Sequence, residues 1–302
     1  MQQKGALREA RKLYESLLPE LRERKADLGS ALDALAQIAS ALGEYDLALA
    51  RGREAADVYS ELGDDSGRTG ALNLLGLVGL YRGDYAQALA NFEEALRLAR
   101  ATGQREAEVK ELNNIGTVLF PQAKYLDALH AYQSALDRVE AAPGEPWYAR
   151  RKRGTLANLG MIYLRLGSYD QALEVYRQAQ RSPRALAPSE QARLLVNLGV
   201  LYRRLEDPLK ALETYRAAER LFARERDRDG EIGVLKNIGI VQALDLGNLQ
   251  AALVTFSKAL ALAGESGNRL EAMQARLYRG ETLLRLGKLD DASADFEAAL
   301  ES

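Results

Sequence analysis

The chain has 302 residues, with 41 Lys and Arg against 43 Asp and Glu, one His and no Cys. Without cysteine there is no disulfide, thiol nucleophile or thiolate metal site, and a formal net charge of −2 gives no overall pull toward nucleic acid or a membrane surface. No apolar run approaches the ~20 residues of a membrane span, and Met1-Gln2-Gln3-Lys4-Gly5 opens no signal-peptide apolar region, so the cytoplasm is the default expectation.

In chain order, residues 6–24 read first, as a lone helix with Ala10, Tyr14 and Leu17 at a small, aromatic and apolar register. From residue 29 to residue 301 one pattern then recurs seven times. Its first small residue falls at Ala36, Gly76, Gly116, Gly160, Gly199, Gly239 and Gly280, in steps of 40, 40, 44, 39, 40 and 41. Two alanines follow at fixed offsets, from Ala48 and Ala55 in the first copy to Ala292 and Ala299 in the last. An aromatic stands between them at Phe92, Tyr132, Tyr176, Tyr215, Phe256 and Phe296, but Gly52 holds that place in the first copy. Self-similarity at such a period marks a solenoid built from one supersecondary unit.

The fourth copy shows the unit. Leu156, Leu159, Tyr163 and Leu166 share one helical face, Gly167 ends that helix, Ser168 stands at the next N-cap, and Ala172, Leu173, Tyr176 and Ala179 form a second stripe. The unit is two antiparallel helices joined by a tight turn. A mid-helix glycine costs ~1 kcal/mol relative to alanine, so six glycines at one register imply a steric reason. The small residues are expected where the two helix backbones approach to ~8–10 Å.

This pattern of Leu-Gly, Tyr, Gly, then Ala, aromatic and Ala resembles the tetratricopeptide repeat over residues 29–301. The family's usual period is ~34 residues, whereas here the added residues lengthen the second helix and the following first helix, as in the stretch from Leu98 to Glu108. The longer variant is similar to the repeats of kinesin light chain, of bacterial regulatory proteins and of arrays joined to caspase-like CHAT peptidases, of which only the array is present here. The resemblance implies an all-α, right-handed superhelical α-solenoid of antiparallel helix pairs, one solenoid over residues 1–302. Residues 6–24 would be the second helix of a truncated repeat.

Four places depart from the pattern. Between the third and fourth copies the stretch Ala141 to Tyr148 is inserted, with Pro146 suited to a first helical turn and Trp147, the sole tryptophan, beside it. Arg150, Arg151, Lys152 and Arg153 follow, read either as a solvated face or as a dock for an acidic partner beside Trp147. Pro121 should kink or shorten the third copy's first helix, whereas Pro208, after Asp207, opens a second helix normally. One extra residue in Ala243-Leu244-Asp245-Leu246-Gly247 predicts a bulge or a lengthened turn.

Stacked hairpins put first helices on an inner wall and leave an extended concave surface. Two positions before the register glycine stand Asn114, Asn158, Asn197 and Asn237, while the first, second and last copies have Ala34, Leu74 and Tyr278. Asn offers a donor and an acceptor, so these residues either grip the main chain of a peptide or bond an adjacent helix and set repeat twist. In similar arrays asparagines at this register hold the ligand backbone. The same wall should carry Lys110, Arg165, Arg193, Arg203, Arg204 and Lys236, with Asp33 and Glu281 as its few acids; these are either ordinary surface charges or a lining that predicts an acidic peptide or a C-terminal carboxylate as ligand. The Lys and Asn set of a two-carboxylate chaperone clamp cannot be assembled.

Enzymatic readings fail on inventory, since His130 lies alone on an outer helix and neither metal-ligand spacing nor a phosphate-cradling glycine loop is present. No cofactor is expected. The predicted function is a non-catalytic interaction scaffold for a protein or peptide partner, with a regulatory or sensor arm acting in cis on a larger enzyme or transcription regulator as the alternative. Nucleic-acid binding would rest on Arg150 to Arg153 alone and is not expected, nor is a membrane partner. No polar capping helix closes the last copy, which predicts a fragment of a longer protein; the other readings are an exposed last helix or a homodimer through the uncapped end.

Overall fold

The computed structural model describes residues 2–181 and 187–300, with side chains from residue 5 onward. Among the described residues there is no strand. The helices are α1 (Gln2–Leu21), α2 (Lys25–Leu42), α3 (Tyr45–Leu62), α4 (Asp65–Arg82), α5 (Tyr85–Ala101), α6 (Arg105–Leu119), α7 (Tyr125–Glu140) and α8 (Tyr148–Arg165). They continue with α9 (Tyr169–Gln180), α10 (Pro188–Arg204), α11 (Pro208–Glu225), α12 (Arg228–Ile240), α13 (Leu249–Ser266), α14 (Arg269–Arg285) and α15 (Leu289–Leu300).

The chain divides into two compact units, Met1–Ile162 and Tyr163–Ser302. In the first, α2 pairs with α3, α4 with α5 and α6 with α7, and α1 packs on α2. The second helices α3 and α5 also meet the next pair's first helix, α4 and α6, while α2 touches α4 and α4 touches α6. In the second unit α10 pairs with α11, α12 with α13 and α14 with α15, with α9 against α10 and α12 against α14. Within each unit, then, the first helices of successive pairs line one side together.

The turns are written locally. Gly83 adopts φ +77°, its neighbour Asp84 donates its backbone N–H to Gly79 at 2.8 Å, and the Asp84 carboxylate accepts from the Gln87 amide at 3.3 Å. Two residues thus close α4 with a left-handed glycine and open α5 with an N-cap. Asp64, Asp207, Asp227, Asn248 and Asn268 cap α4, α11, α12, α13 and α14 in the same way. Ser168 precedes α9 as expected, but its side chain makes no cap hydrogen bond. Ala123, Glu206 and Arg226 hold the left-handed turn position with φ near +57° to +58°, although none is glycine.

The register glycine makes room for a ring rather than for a backbone. A Cβ on Gly76 would fall 2.5 Å from Phe92 Cε1, on Gly116 2.6 Å from Tyr132, on Gly199 2.4 Å from Tyr215, on Gly239 2.5 Å from Phe256 and on Gly280 2.7 Å from Phe296. The ring between the two second-helix alanines therefore packs directly against the opposite helix at its glycine. Where the backbones do come together, near the turn, the glycine is Gly79, whose Cβ would meet the Ala88 nitrogen at 3.2 Å and the Asp84 carbonyl at 3.3 Å. The first pair inverts the arrangement. Gly52 replaces the ring, Ala36 replaces the glycine, and Leu75 of α4 fills the space, 2.9 Å from where a Gly52 Cβ would stand. Phe92, Tyr132, Tyr176, Tyr215 and Phe256 are all fully buried, each contributing ~1.5–3 kcal/mol of apolar transfer.

The irregular places follow from the sequence. α6 stops at Leu119, two residues before Pro121, because proline lacks the donor that the next turn needs. α8 begins at Tyr148, just after Pro146 and Trp147. The extra residue of the sixth copy is absorbed by a π-helical turn, Val241–Asp245, a usual way to insert one residue into a helix.

Candidate functional site

Three polar regions involve first helices, two in the Met1–Ile162 unit and one in the Tyr163–Ser302 unit. In the Met1–Ile162 unit a hydrogen-bonded seam crosses α4, α6 and α8. Asn73 Nδ2 donates to Glu111 Oε2 at 2.9 Å, and Asn114 Nδ2 reaches the same oxygen at 3.1 Å. Asn113 Nδ2 donates to the Val109 carbonyl and to Thr155 Oγ1, each at 2.9 Å, while its own Oδ1 accepts from Asn158 Nδ2 at 3.0 Å. Two of the four predicted asparagines, Asn114 and Asn158, are therefore engaged within the protein. Glu111 is fully buried and its Oε1 has no hydrogen bond; Lys110 Nζ stands 3.9 Å away. Burial pushes the Glu111 carboxyl up, opposed by Lys110 and by the two carboxamides, and it pushes the Lys110 ammonium down.

Sequence reading missed Glu111, Asn73, Asn113 and Thr155. A signal for Glu111 existed. Five positions before the small register residue the other copies carry Ala31, Ala71, Thr155, Leu194, Val234 and Ala275, every one buried, so a glutamate there is a carboxylate placed in the core.

The second region is a cavity of about 750 Å³ in the Tyr163–Ser302 unit, between α10 and α12. Arg193, Val196 and Asn197 line it from α10, Asn237, Lys236, Gly233 and Val234 from α12, and Asp227 and Asp229 from the turn before α12 and its first residues. The Asn197 and Asn237 carboxamides are half-buried and make no hydrogen bond among the described residues. Arg193 is exposed at the rim, also without a polar partner among those residues. Lys236 is buried and committed, its ammonium 2.5 Å from both Glu271 and Gln274 of α14. Arg203 reaches across to the π-helical turn and holds both Asp245 oxygens, one at 3.1 Å, which raises its pKa. Arg204 is exposed on the last turn of α10, and Arg165 is exposed at the end of α8. Of the predicted basic lining, Lys236 and Arg203 are thus already paired, while Arg193 and Arg204 are exposed with no polar partner among the described residues.

The third region surrounds the insertion. Gly103, Gln104, Arg105, Glu106, Ala107, Lys110, Glu145, Trp147 and Arg151 enclose about 750 Å³. Lys110, predicted as part of the groove wall, faces this cavity. The basic run beside it is largely spent on ion pairs. Glu106 Oε1 takes Arg150 at 2.5 Å and Arg151 at 2.9 Å, Glu140 takes Lys152 at 2.6 Å, and Arg153 is buried.

Among the described residues no group of three or more His, Cys, Asp or Glu side chains could hold a metal ion, and no helix is long and apolar enough to cross a membrane. His130 is exposed on α7.

Compared with known proteins, the chain matches one tetratricopeptide repeat profile over residues 27–101, 65–141, 107–185 and 190–265, and a second over 242–302. No curated protein matches it. Among solved structures it is similar to BtubC from P. vanneervenii, at 23% identity and TM-score 0.61, over 74% of this chain and 91% of that one. It is also similar to the apo form of RapI, at 15% identity and TM-score 0.66, over 90% of this chain and 96% of that one. A third likeness is to a Signal Transduction ATPase with Numerous Domains protein with a tetratricopeptide repeat sensor, from Pyrococcus horikoshii. There the identity is 17%, the TM-score 0.73 and the coverage 96% of this chain but only 43% of that one. At these identities the likeness is one of fold.

Proposed function

We propose that this chain, which belongs to the tetratricopeptide repeat family, works as a non-catalytic scaffold that holds an extended partner segment in the cavity between α10 and α12. The observation that carries this reading is the pair Asn197 and Asn237, two carboxamides without internal partners that line one cavity beside Arg193. Neighbouring helices stand ~8–10 Å apart and an extended peptide rises ~3.3 Å per residue, so the pair meets peptide groups about three residues apart. Each carboxamide offers a donor and an acceptor and grips main chain without reading side chains. Arg193 adds the selectivity, favouring an acidic side chain at the rim. The negative charges of Asp227 and Asp229, opposite in sign to Arg193, set the direction in which such a segment lies.

A peptide array identifies binders, and calorimetry with the best acidic sequence measures them. The Asn197→Ala/Asn237→Ala double variant is expected to lose at least about tenfold in affinity, and Arg193→Gln to lose its preference for acidic sequences. Unchanged affinity in the double variant rejects the carboxamide role.

A second reading has one supporting observation, the superposition of nearly the whole chain on less than half of a larger protein with a repeat sensor. In that reading the partner segment belongs to the same polypeptide. A natural reading frame ending at residue 302 removes it.

A further inference from the structure

We propose a second binding site, in the Met1–Ile162 unit, at the cavity beside Trp147, whose ligand is a carboxylate carried next to a large apolar side chain. The site is built from other residues than the α10 and α12 cavity and does not rest on it.

The insertion from Ala141 to Tyr148, which gives this copy its 44-residue step, builds one wall. Trp147 packs on the core cluster of Leu96, Val109, Leu112, Ala135 and Val139 and also lines the cavity, so the half-buried indole is fixed from behind and presents apolar surface in front. Such a rigid aromatic wall is well suited to an apolar side chain.

The charge of the cavity selects what lies beside that side chain. Glu106 is already shared by Arg150 and Arg151. Arg105 is exposed with no polar partner among the described residues, and the ion partner of Lys110 is Glu111, at 3.9 Å on the core side. Burial also lowers the Lys110 pKa, as for an ammonium short of counterions. A carboxylate entering the cavity completes the coordination of Lys110 and Arg105. Glu145, on the insertion, lines the same space with the opposite sign, so a ligand with one carboxylate fits and a polyanion is repelled. That chemistry comes from an internal Glu or Asp of a peptide or from a free C-terminus, each with an apolar neighbour.

Trp147 is the sole tryptophan of the chain, so its fluorescence reads this site alone. Three probes are titrated: N-acetyl-Ala-Glu-Leu-Ala amide, N-acetyl-Ala-Gln-Leu with a free carboxylate, and uncharged N-acetyl-Ala-Gln-Leu-Ala amide. The expected result is a saturable change in emission with at least one of the first two and none with the third; which one works identifies the source of the carboxylate. Lys110→Gln and Arg105→Gln are each expected to weaken that binding at least about tenfold, and Asn197→Ala/Asn237→Ala to leave it unchanged. Arg105 is exposed, so its variant tests the site without disturbing the core. No saturable change with either carboxylate probe, an equal change with the uncharged one, or full retention in both charge variants overturns the proposal.

Discussion

Asn158 Nδ2 donates to Asn113 Oδ1 at 3.0 Å, joining α8 to α6 through the residue that its register marks as a ligand contact. Asn237, at the same register on α12, has no such partner among the described residues. The difference lies in the first helix of the preceding copy. Asn158 finds its acceptor in the side chain of Asn113, one position before Asn114 of the preceding copy, whereas the matching positions for Asn197 and Asn237 are Ala157 and Val196, which have no side-chain oxygen. Asn158→Ala is therefore expected to lower the stability of the free protein by about 0.5–1.5 kcal/mol, and Asn237→Ala to leave it nearly unchanged. Chemical denaturation of the two variants checks this; equal losses would contradict it.

The rings and the glycines opposite them form a second set of couplings. Gly116→Ala forces a methyl within 2.6 Å of the Tyr132 ring and is expected to cost about 1–3 kcal/mol, as overpacking does, despite alanine's better helix propensity. Tyr132→Ala alone is expected to cost about 3–5 kcal/mol. The double variant should lose clearly less than the sum, because the first pair already shows Ala36 tolerated where Gly52 replaces the ring. A thermodynamic cycle with zero coupling would show that the glycine is there for another reason.

Glu111 gives a pH dependence with a definite sign. Burial raises its carboxyl in the folded protein, so its contribution is most favourable below the unfolded value and is lost as pH rises through the folded value. Glu111→Gln keeps a carbonyl oxygen for Asn73 and Asn114 and removes the buried charge. The variant is expected to be more stable than the parent at pH 7, with the gap closing toward pH ~4, where an ordinary glutamate protonates. Thermal unfolding at both values measures it. A variant less stable at pH 7 would mean that Lys110 more than offsets the burial.

Arg279 and Asp295 join α14 to α15 through two hydrogen bonds of 2.6 and 2.5 Å, with Asp295 buried. Arg279→Ala leaves that carboxylate without its cation and is expected to cost about 2–4 kcal/mol, somewhat under a fully buried pair because the arginine is partly exposed. Arg226→Gly acts in the opposite direction. Its φ of +57° is strained for any residue with a Cβ, by about 1–2 kcal/mol, and glycine's greater freedom in the unfolded chain returns part of that, so a net gain of up to about 1 kcal/mol is expected in the melting curve.

The helix pairs were legible because each repeat states them with turn glycines, capping aspartates and a small-residue register. The shortened α6 before Pro121 and the π-helical turn at Val241–Asp245 were legible as a proline in a last turn and as one residue too many. The partner of the register glycine was misread, since spacing shows that two positions face each other but not whether ring or backbone fills the gap at Phe92. Register marks Asn114, Asn158, Asn197 and Asn237 as equivalent positions, but it does not tell which of them bond internally, because that depends on Asn113 and Glu111, one and three residues from Asn114. Their effect appears only when neighbouring helices are laid side by side.

The most direct test follows the asparagine side-chain amide resonances of the protein while an array-selected acidic peptide is added. The Asn197 and Asn237 amide signals are expected to shift and saturate together, with those of Asn114 and Asn158 unmoved in their seam. Saturable binding that shifts Asn114 and Asn158 while leaving Asn197 and Asn237 in place would contradict the assignment of the groove to α10 and α12.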